Sequence, residues 1–279
     1  MKTLLIPFDF TETAQNALIY AEGLSKQFDY ERIVLLKSFY DTVFDDIVLS
    51  GEYFAVEQYY RTEEHEEAAK KLSQIEADFK KRNPAVEIVS AMSEMPILRA
   101  ITTAVGEFQP RAMLIGSDTD KHDNDSIVSA HVIQIARISP IPVLIVPAGQ
   151  YFHIIADALI PLDEFTKGSL EKISRLTENR FLQDMHFNIL SMKSAVNDSQ
   201  IESVSSVVDQ LSNMGNVKFE FFFSESRDLI EGISHFMDEH TTDLLIALPG
   251  KYSFLYKLTH KTLQQAVSKN TNKPVLIVK

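Results

Sequence analysis

Short apolar runs alternate along this chain with longer segments in which apolar residues recur every three or four positions. The runs are rich in β-branched residues and predict strands, whereas the longer segments predict amphipathic helices. Alternation of this kind is typical of βαβ units in a parallel sheet. In the first half the predicted strands lie near Thr3 to Phe8, Arg32 to Ser38, Val86 to Ala91, Ala112 to Gly116 and Val143 to Val146.

The helical segments carry recognisable starts and apolar faces. For the first helix, Thr11 or Thr13 is the predicted N-cap, and a third helix is predicted after Ser93. In the second half, Ser226 is the predicted cap of the corresponding helix. The predicted inward-facing residues of these three helices are Ala14, Ala17, Leu18, Ala21, Leu24 and Phe28, then Ile97, Ile101, Ala104 and Val105, then Leu229, Ile230, Ile233 and Phe236.

The chain contains an internal duplication. The run from Leu4 to Asp9 returns from Ala158 to Asp163, and Pro142 to Val146 returns as Pro274 to Val278. Landmarks in the two halves are spaced 26, 53, 26 and 28 residues apart and 26, 30, 26 and 29 residues apart, respectively. One interval alone differs much, as a surface-loop insertion would produce. We therefore predict two domains of one α/β topology, residues 1–148 and 152–279, with a boundary near 147–150.

Each domain is predicted to be a five-stranded parallel sheet with helices on both faces. Ligands of such sheets bind beyond the carboxyl ends of the strands. That rule places Asp9 and Asp163, which follow the first strand of each copy, beside any pocket.

The extra residues of the first copy, at about 39–60, are rich in aromatic side chains. Seven Phe or Tyr residues lie between Phe39 and Tyr60, where plain proportion predicts about two. One interpretation is an elaborated loop or short helix that packs these rings on its own domain. The other is a lid or a partner surface.

Composition excludes several classes of function. The hydrophobic content of 45% with 24% charged residues is that of a globular protein, and the absence of cysteine excludes disulfides and thiolate chemistry. A net charge of −12 argues against binding nucleic acid or anionic membranes. Without a signal segment or a long apolar run, we expect a cytoplasmic protein. The halves carry −9 and −3, so an anionic ligand should prefer the second.

Three features together resemble the universal stress protein family, in a tandem arrangement that covers essentially the whole chain. They are Ile6-Pro7-Phe8-Asp9 with its copy at Ile160 to Asp163, Leu114-Ile115-Gly116-Ser117 after the fourth strand, and the two Pro-Val-Leu-Ile-Val endings. The resemblance implies two adenine-nucleotide-hydrolase-like domains, a role in stress response, and pairing of the two copies through their closing strands as a pseudo-dimer. A further homodimer is left open.

Nucleotide-binding members of that family carry Gly, two residues, Gly, nine residues, then Gly with Ser or Thr. Glycines let main-chain N–H groups approach phosphates at a helix N-terminus. Here Gly116 stands at the first glycine, but Thr119 stands at the second and Ser129-Ala130 at the final Gly-Ser. The loop between them is acidic and should repel triphosphate. Its side chains Asp118, Asp120, His122, Asp123 and Asp125 lack the spacing of a calcium loop, so we predict no metal site.

The second copy departs further from the pattern. Ala247 or Leu248 stands at the first glycine and Lys261-Thr262 at the last, although Gly250 could serve as the second. The loop is basic, with Lys251, Lys257 and Lys261. It is interpreted as a solvated helix start or, alternatively, as a weak anion site.

Asp9 and Asp163 match the family's first-strand aspartate, which the resemblance places near adenine and ribose. Retained nucleoside binding is one interpretation, and a turn-capping role is the other. The candidate ligand-binding residues are thus Asp9, Gly116, Ser117, Ser129, Asp163, Gly250, Lys251, Lys261 and Thr262.

No catalytic motif is present in the sequence. There is no Gly-x-Ser-x-Gly elbow, no His-Glu-x-x-His and no clustering of the eight histidines. We therefore expect a non-catalytic interaction or regulatory module with degraded ATP-binding loops and no required cofactor, ATP or AMP being disfavoured. The alternatives are a nucleotide or small-molecule sensor that uses one domain, with the second favoured, and an enzyme of unrecognised type.

Overall fold

The computed structural model describes residues 1–39, 51–117, 127–162, 168–169, 171–173, 185–192, 218–226, 228–248 and 273–279, with backbone alone for 51–62, 127–131 and 133. In the first half, strands and helices alternate from the first strand to the last. They are β1 (Thr3–Pro7), α1 (Glu12–Phe28), β2 (Arg32–Ser38), α2 (Gly51–Arg82), β3 (Glu87–Ser93), α3 (Ile97–Phe108), β4 (Ala112–Ser117), α4 (Ile127–Ile138) and β5 (Val143–Pro147).

The second half contributes five more strands and one long helix to the described residues. They are β6 (Asp157–Leu162), β7 (His186–Met192), β8 (Lys218–Ser224), α5 (Leu229–Glu239), β9 (Leu244–Ala247) and β10 (Val275–Ile277). The strand positions of the first half agree with the sequence prediction to within a few residues.

The ten strands of the described residues form one sheet in the order β3-β2-β1-β4-β5-β10-β9-β6-β7-β8. Neighbours within each half are parallel, and β5 pairs with β10 antiparallel through Val275 and Ile145, Leu276 and Leu144, and Ile277 and Val143. Each half thus has the predicted five-stranded parallel sheet. The two closing strands cover each other's edge, which would otherwise expose unpaired peptide groups.

Helices cover both faces of the sheet, as predicted. The six apolar residues predicted for the inner face of α1 are all buried, on the same face as Leu72 and Phe79 of α2. On the opposite face α3, α4 and α5 pack against the alternate strand residues. Strands that are buried on both faces explain the nearly continuous apolar runs of the sequence.

Two predicted helix starts can be compared with the structure. Thr11 caps α1, as one of the two alternatives held, since its hydroxyl accepts a hydrogen bond from the Ala14 N–H at 3.3 Å. Ser226 as the cap of α5 was wrong. Asp228 caps that helix, because its carboxylate accepts from the N–H groups of Ile230 and Glu231 at 2.8 and 3.3 Å and its charge favours the helix N-terminus.

The aromatic insertion is helical from Gly51 onward, where it forms the first turns of α2. Residues 40–50 lie outside the described part of the chain. The choice between rings packed on the domain and a lid or partner surface therefore stays a prediction.

The connection from β5 to β6 lies on α1. The ring of Phe152 packs against Gly23 and meets Tyr20 edge to face at 5.2 Å. The Gln27 side chain donates to the Ile155 carbonyl at 2.7 Å and accepts from its N–H at 2.9 Å. In the second half, the Asp243 carboxylate accepts from Ala156 and from the residue after it, both at 3.0 Å. The connection is thus held by both halves.

Candidate functional site

Asp9 lies two residues beyond β1, at the carboxyl edge of the sheet. Its Oδ1 accepts a hydrogen bond from the Thr11 hydroxyl at 2.6 Å and another from the Thr11 N–H at 3.3 Å. The same hydroxyl caps α1. Asp9 therefore fixes the residue that begins the helix, which is the turn-capping role that the sequence offered as one alternative.

Gly116 is the next-to-last residue of β4, and its lack of a side chain is used inside the fold. A Cβ placed on it would lie 2.3 Å from the main-chain oxygen of Thr13 and 2.8 Å from the Thr13 Cγ2. The first turn of α1 occupies the space beside this glycine. Ser117 follows, partly buried, with its carbonyl accepting from the Ala148 N–H at 2.8 Å.

The structure thus brings Asp9, Gly116 and Ser117 to one edge, around the start of α1. Ser129 is the third residue of α4, where backbone alone is described. The remaining candidates of the sequence analysis lie outside the described residues, as does the acidic loop. They are Asp163, Gly250, Lys251, Lys261 and Thr262.

An aromatic and charged cluster at the same edge was missed from the sequence. Lys37 is the next-to-last residue of β2, and its Nζ lies 5.0 Å from the ring centre of Phe39 and 5.8 Å from that of Phe10. Lys71 of α2 reaches the Phe10 ring at 5.7 Å. The sequence did hold a signal, because Lys37 is a charge that directly follows the apolar run of β2.

Helix α2 is fastened to this cluster through His65. Its imidazole stacks on Phe39 with 3.9 Å between ring centres, and its Nε2 lies 2.6 Å from a carboxylate oxygen of Glu94. Glu94 directly follows β3, so this contact joins α2 to the β3 end of the rim.

The electrostatics of the cluster centre on Lys37. Burial lowers the pKa of Lys37 below its ordinary value of 10.5, while the carboxylates of Glu64 and Asp9 act in the opposite direction. Since burial outweighs them, the charged ammonium is less well solvated here than in water.

A separate cavity of about 260 Å³ lies between α1 and α2. Its apolar lining residues are Phe8, Leu18, Ile19 and Ile75, and Arg82 also lines it. The Arg82 guanidinium donates two hydrogen bonds to a Glu22 oxygen at 2.9 and 2.6 Å. None of the candidate ligand-binding residues named from the sequence is among the described residues that line this cavity.

The described residues contain no cluster of three His, Asp or Glu side chains that could hold a metal ion. In the same part of the chain, no helix is long and apolar enough to span a bilayer.

Comparisons with solved structures identify the fold. A universal stress protein from Archaeoglobus fulgidus DSM 4304 matches with a TM-score of 0.67 and 15% identity, covering 99% of this chain and 98% of that one. A protein from Pseudomonas aeruginosa UCBPP-PA14, provisionally described as a universal stress protein, matches with a TM-score of 0.56 and 12% identity, covering 100% of this chain and 93% of that one. A protein of unknown function from Pseudomonas aeruginosa PAO1 matches with a TM-score of 0.54 and 12% identity, covering 100% of this chain and 92% of that one.

At these identities the matches show the fold, and they confirm the predicted universal stress protein fold over essentially the whole chain. No family model and no curated protein matches the sequence.

Proposed function

We propose that this chain is a tandem universal stress protein that acts in stress response as a non-catalytic interaction or regulatory module without tight ATP binding. The main support for the proposal is that Asp9 and Gly116 both contact the start of α1: Asp9 accepts a hydrogen bond from Thr11, and Gly116 packs against Thr13. Both residues would contact nucleotide by the family resemblance, and both have an intramolecular role that accounts for their residue type without a ligand.

The sequence of the phosphate loop supports the same conclusion. Thr119 and Ser129 replace glycines, so the main chain carries Cβ atoms where close approach to phosphate needs none. Four aspartates in the loop add repulsion toward a triphosphate. Loss of the cradle removes the means of ATP hydrolysis as well as of ATP binding.

The antiparallel β5–β10 pair supports the view of the two halves as an intramolecular pseudo-dimer. In this arrangement the edges that would join two single-domain chains are joined within one chain. Surfaces outside the β5–β10 pair are then available to bind a partner in the cytoplasm. We expect that partner to be a protein, not a nucleic acid or a membrane.

The experiment is to purify the chain from cells, denature it, and quantify adenine nucleotides by chromatography. We expect far less than one nucleotide per chain. A second sample, Thr119→Gly with Ser129→Gly, restores the glycine pattern and should carry more nucleotide than the wild type if the missing glycines are the cause. Stoichiometric ATP or AMP from the wild type would instead favour the sensor.

The position of such a ligand can be assigned with Lys261→Glu. If the second half holds the nucleotide, this charge reversal should weaken its binding, because Lys261 stands at the last glycine of that copy. An unchanged nucleotide content would place the ligand in the first half.

A further inference from the structure

Lys37 has an unusual environment for a lysine. Its side chain is partly buried at the carboxyl edge of β2, and its Nζ lies within 6 Å of the ring centres of Phe39 and Phe10. Asp9 and Glu64 act on it as charges through space, but no hydrogen bond or ion pair joins them to its ammonium in the described structure.

Three other charged residues of the cluster have bonded partners. Asp9 accepts from Thr11, the Glu94 carboxylate bonds to His65, and Lys71 forms an ion pair with Glu67 at 2.7 Å. Removing an ammonium from water without a bonded acceptor is unfavourable, and ring faces recover only part of that loss. Lys37 is therefore the cation of this rim, within the described ranges, that still lacks a bonded anion.

Phe10 adds a second, independent sign. Its φ is +67°, a left-handed backbone that a bulky side chain rarely adopts. This conformation accompanies a ring position 5.6 Å from Phe8 and within 6 Å of two lysine ammonium groups. Strained residues of this kind concentrate at ligand sites, where the strain holds a group in its working position.

We propose that Lys37 binds the carboxylate of a small planar aromatic acid whose ring packs against Phe10 and Phe39. The carboxylate would accept charge-assisted hydrogen bonds from Nζ, and the two side chains offer apolar surface to the ligand ring. The site lies where parallel sheets bind ligands, beyond the carboxyl ends of β1 and β2. It goes beyond the proposed function and requires no nucleotide.

The charges around the site select the ligand class. Because Asp9 and Glu64 repel anions, the repulsion grows with each charge that a ligand carries. A monocarboxylate meets one ammonium with the least repulsion, whereas a triphosphate is disfavoured. The lowered pKa of Lys37 agrees with an ammonium that gains from a bound anion.

Benzoate is the probe, and benzamide is its neutral counterpart of the same shape. Titration calorimetry and ligand-observed NMR on the full chain should show saturable benzoate binding with Kd of about 1 mM, the affinity expected of so small a ligand. Benzamide should bind at least about tenfold more weakly than benzoate. Lys37→Met should weaken benzoate binding about tenfold or more, because the charged donor is lost.

Lys70→Met is the matched control, since Lys70 is an exposed lysine on α2 that is not part of the cluster. It should bind benzoate as the wild type does. Circular dichroism and thermal unfolding of both variants establish that they are folded, and Lys37→Met should be at least as stable as the wild type because an unpaired charge has been removed.

Three results would overturn the proposal. The first is that the wild type does not bind benzoate at about 10 mM. The second is that Lys37→Met binds benzoate with unchanged affinity. The third is that Lys37→Met folds but is less stable than the wild type. Mg-ATP titrated into the same samples tests the proposed function separately, so the failure of one can be told from the failure of the other.

Discussion

Gly23 and Phe152 are in direct contact: a Cβ on Gly23 would lie 2.1 Å from the Phe152 Cδ1. The glycine lies within α1 of the first half, and the ring belongs to the segment that leads into the second. A helical glycine costs stability relative to alanine, so the close approach of the ring explains its presence. The pair is one of the contacts that fix the connection on α1.

Gly23→Ala should destabilise the protein by about 1–3 kcal/mol, because the new methyl group overpacks the ring. Gly106→Ala is the control, since nothing lies within 4 Å of a Cβ at that helical position. It should stabilise by about 0.5–1 kcal/mol through helix propensity. Urea unfolding measures both. In a Phe152→Ala background, Gly23→Ala should become neutral or stabilising, and an undiminished loss there would refute the contact as the cause.

Gly116→Ala should cost more than Gly23→Ala, about 3 kcal/mol or more. The atom that a Cβ would meet at 2.3 Å is the main-chain oxygen of Thr13, which cannot rotate away as a side chain can. Thr13→Ala should therefore fail to rescue the variant. Denaturant titration of the single and double variants measures the free energy of unfolding. Full rescue by Thr13→Ala would show that the Thr13 Cγ2 methyl group, and not its main-chain oxygen, obstructs the new side chain.

The strands and the faces of the helices could be predicted from the sequence because burial on one or both faces leaves a period in the apolar residues. The six inner residues of α1 are an example. The contact of Gly23 with Phe152 could not be predicted in this way. A glycine inside a helical pattern signals a close approach, but its partner is 129 positions further along and is set by the path of the connection.

Asp9→Ala should destabilise by about 1 kcal/mol, because the Thr11 side chain loses the acceptor that orients it as the cap of α1. Asp9→Asn keeps an acceptor oxygen and should lose less. Thermal unfolding of these variants with Thr11→Ala and Asp9→Ala/Thr11→Ala forms a double-mutant cycle. Strictly additive losses would contradict the idea that Asp9 acts through Thr11.

The candidate site was predictable only in part. The position of Asp9 follows from the strand rule, whereas its 2.6 Å hydrogen bond to Thr11 is specified by no pattern in the sequence. The Lys37 cluster joins residues from β2, α2 and the turn after β1, so sequence spacing could not bring them together. Ser226 failed as a cap because Asp228, two residues later, is the stronger acceptor.

The contribution of Lys37 to stability should depend on pH. Its folded pKa is lowered, mainly by burial, so the unfolded chain binds the proton more tightly. Stability should therefore rise with pH through the window between the folded pKa and the ordinary value of 10.5. Any stability advantage of Lys37→Met at neutral pH should shrink across that window, as measured by urea unfolding from about pH 7 to pH 10.5. If the stability advantage of Lys37→Met grew with pH instead, the pKa of Lys37 would not be lowered by folding.

We propose that the rim of the first half, where the start of α1 lies beside Gly116, does not bind the phosphates of ATP. Isothermal titration of Mg-ATP into nucleotide-free protein is the decisive measurement. We expect no saturable heat up to about 1 mM Mg-ATP. Stoichiometric binding with Kd below about 10 μM, abolished by Asp9→Asn in a variant that remains folded, would contradict it.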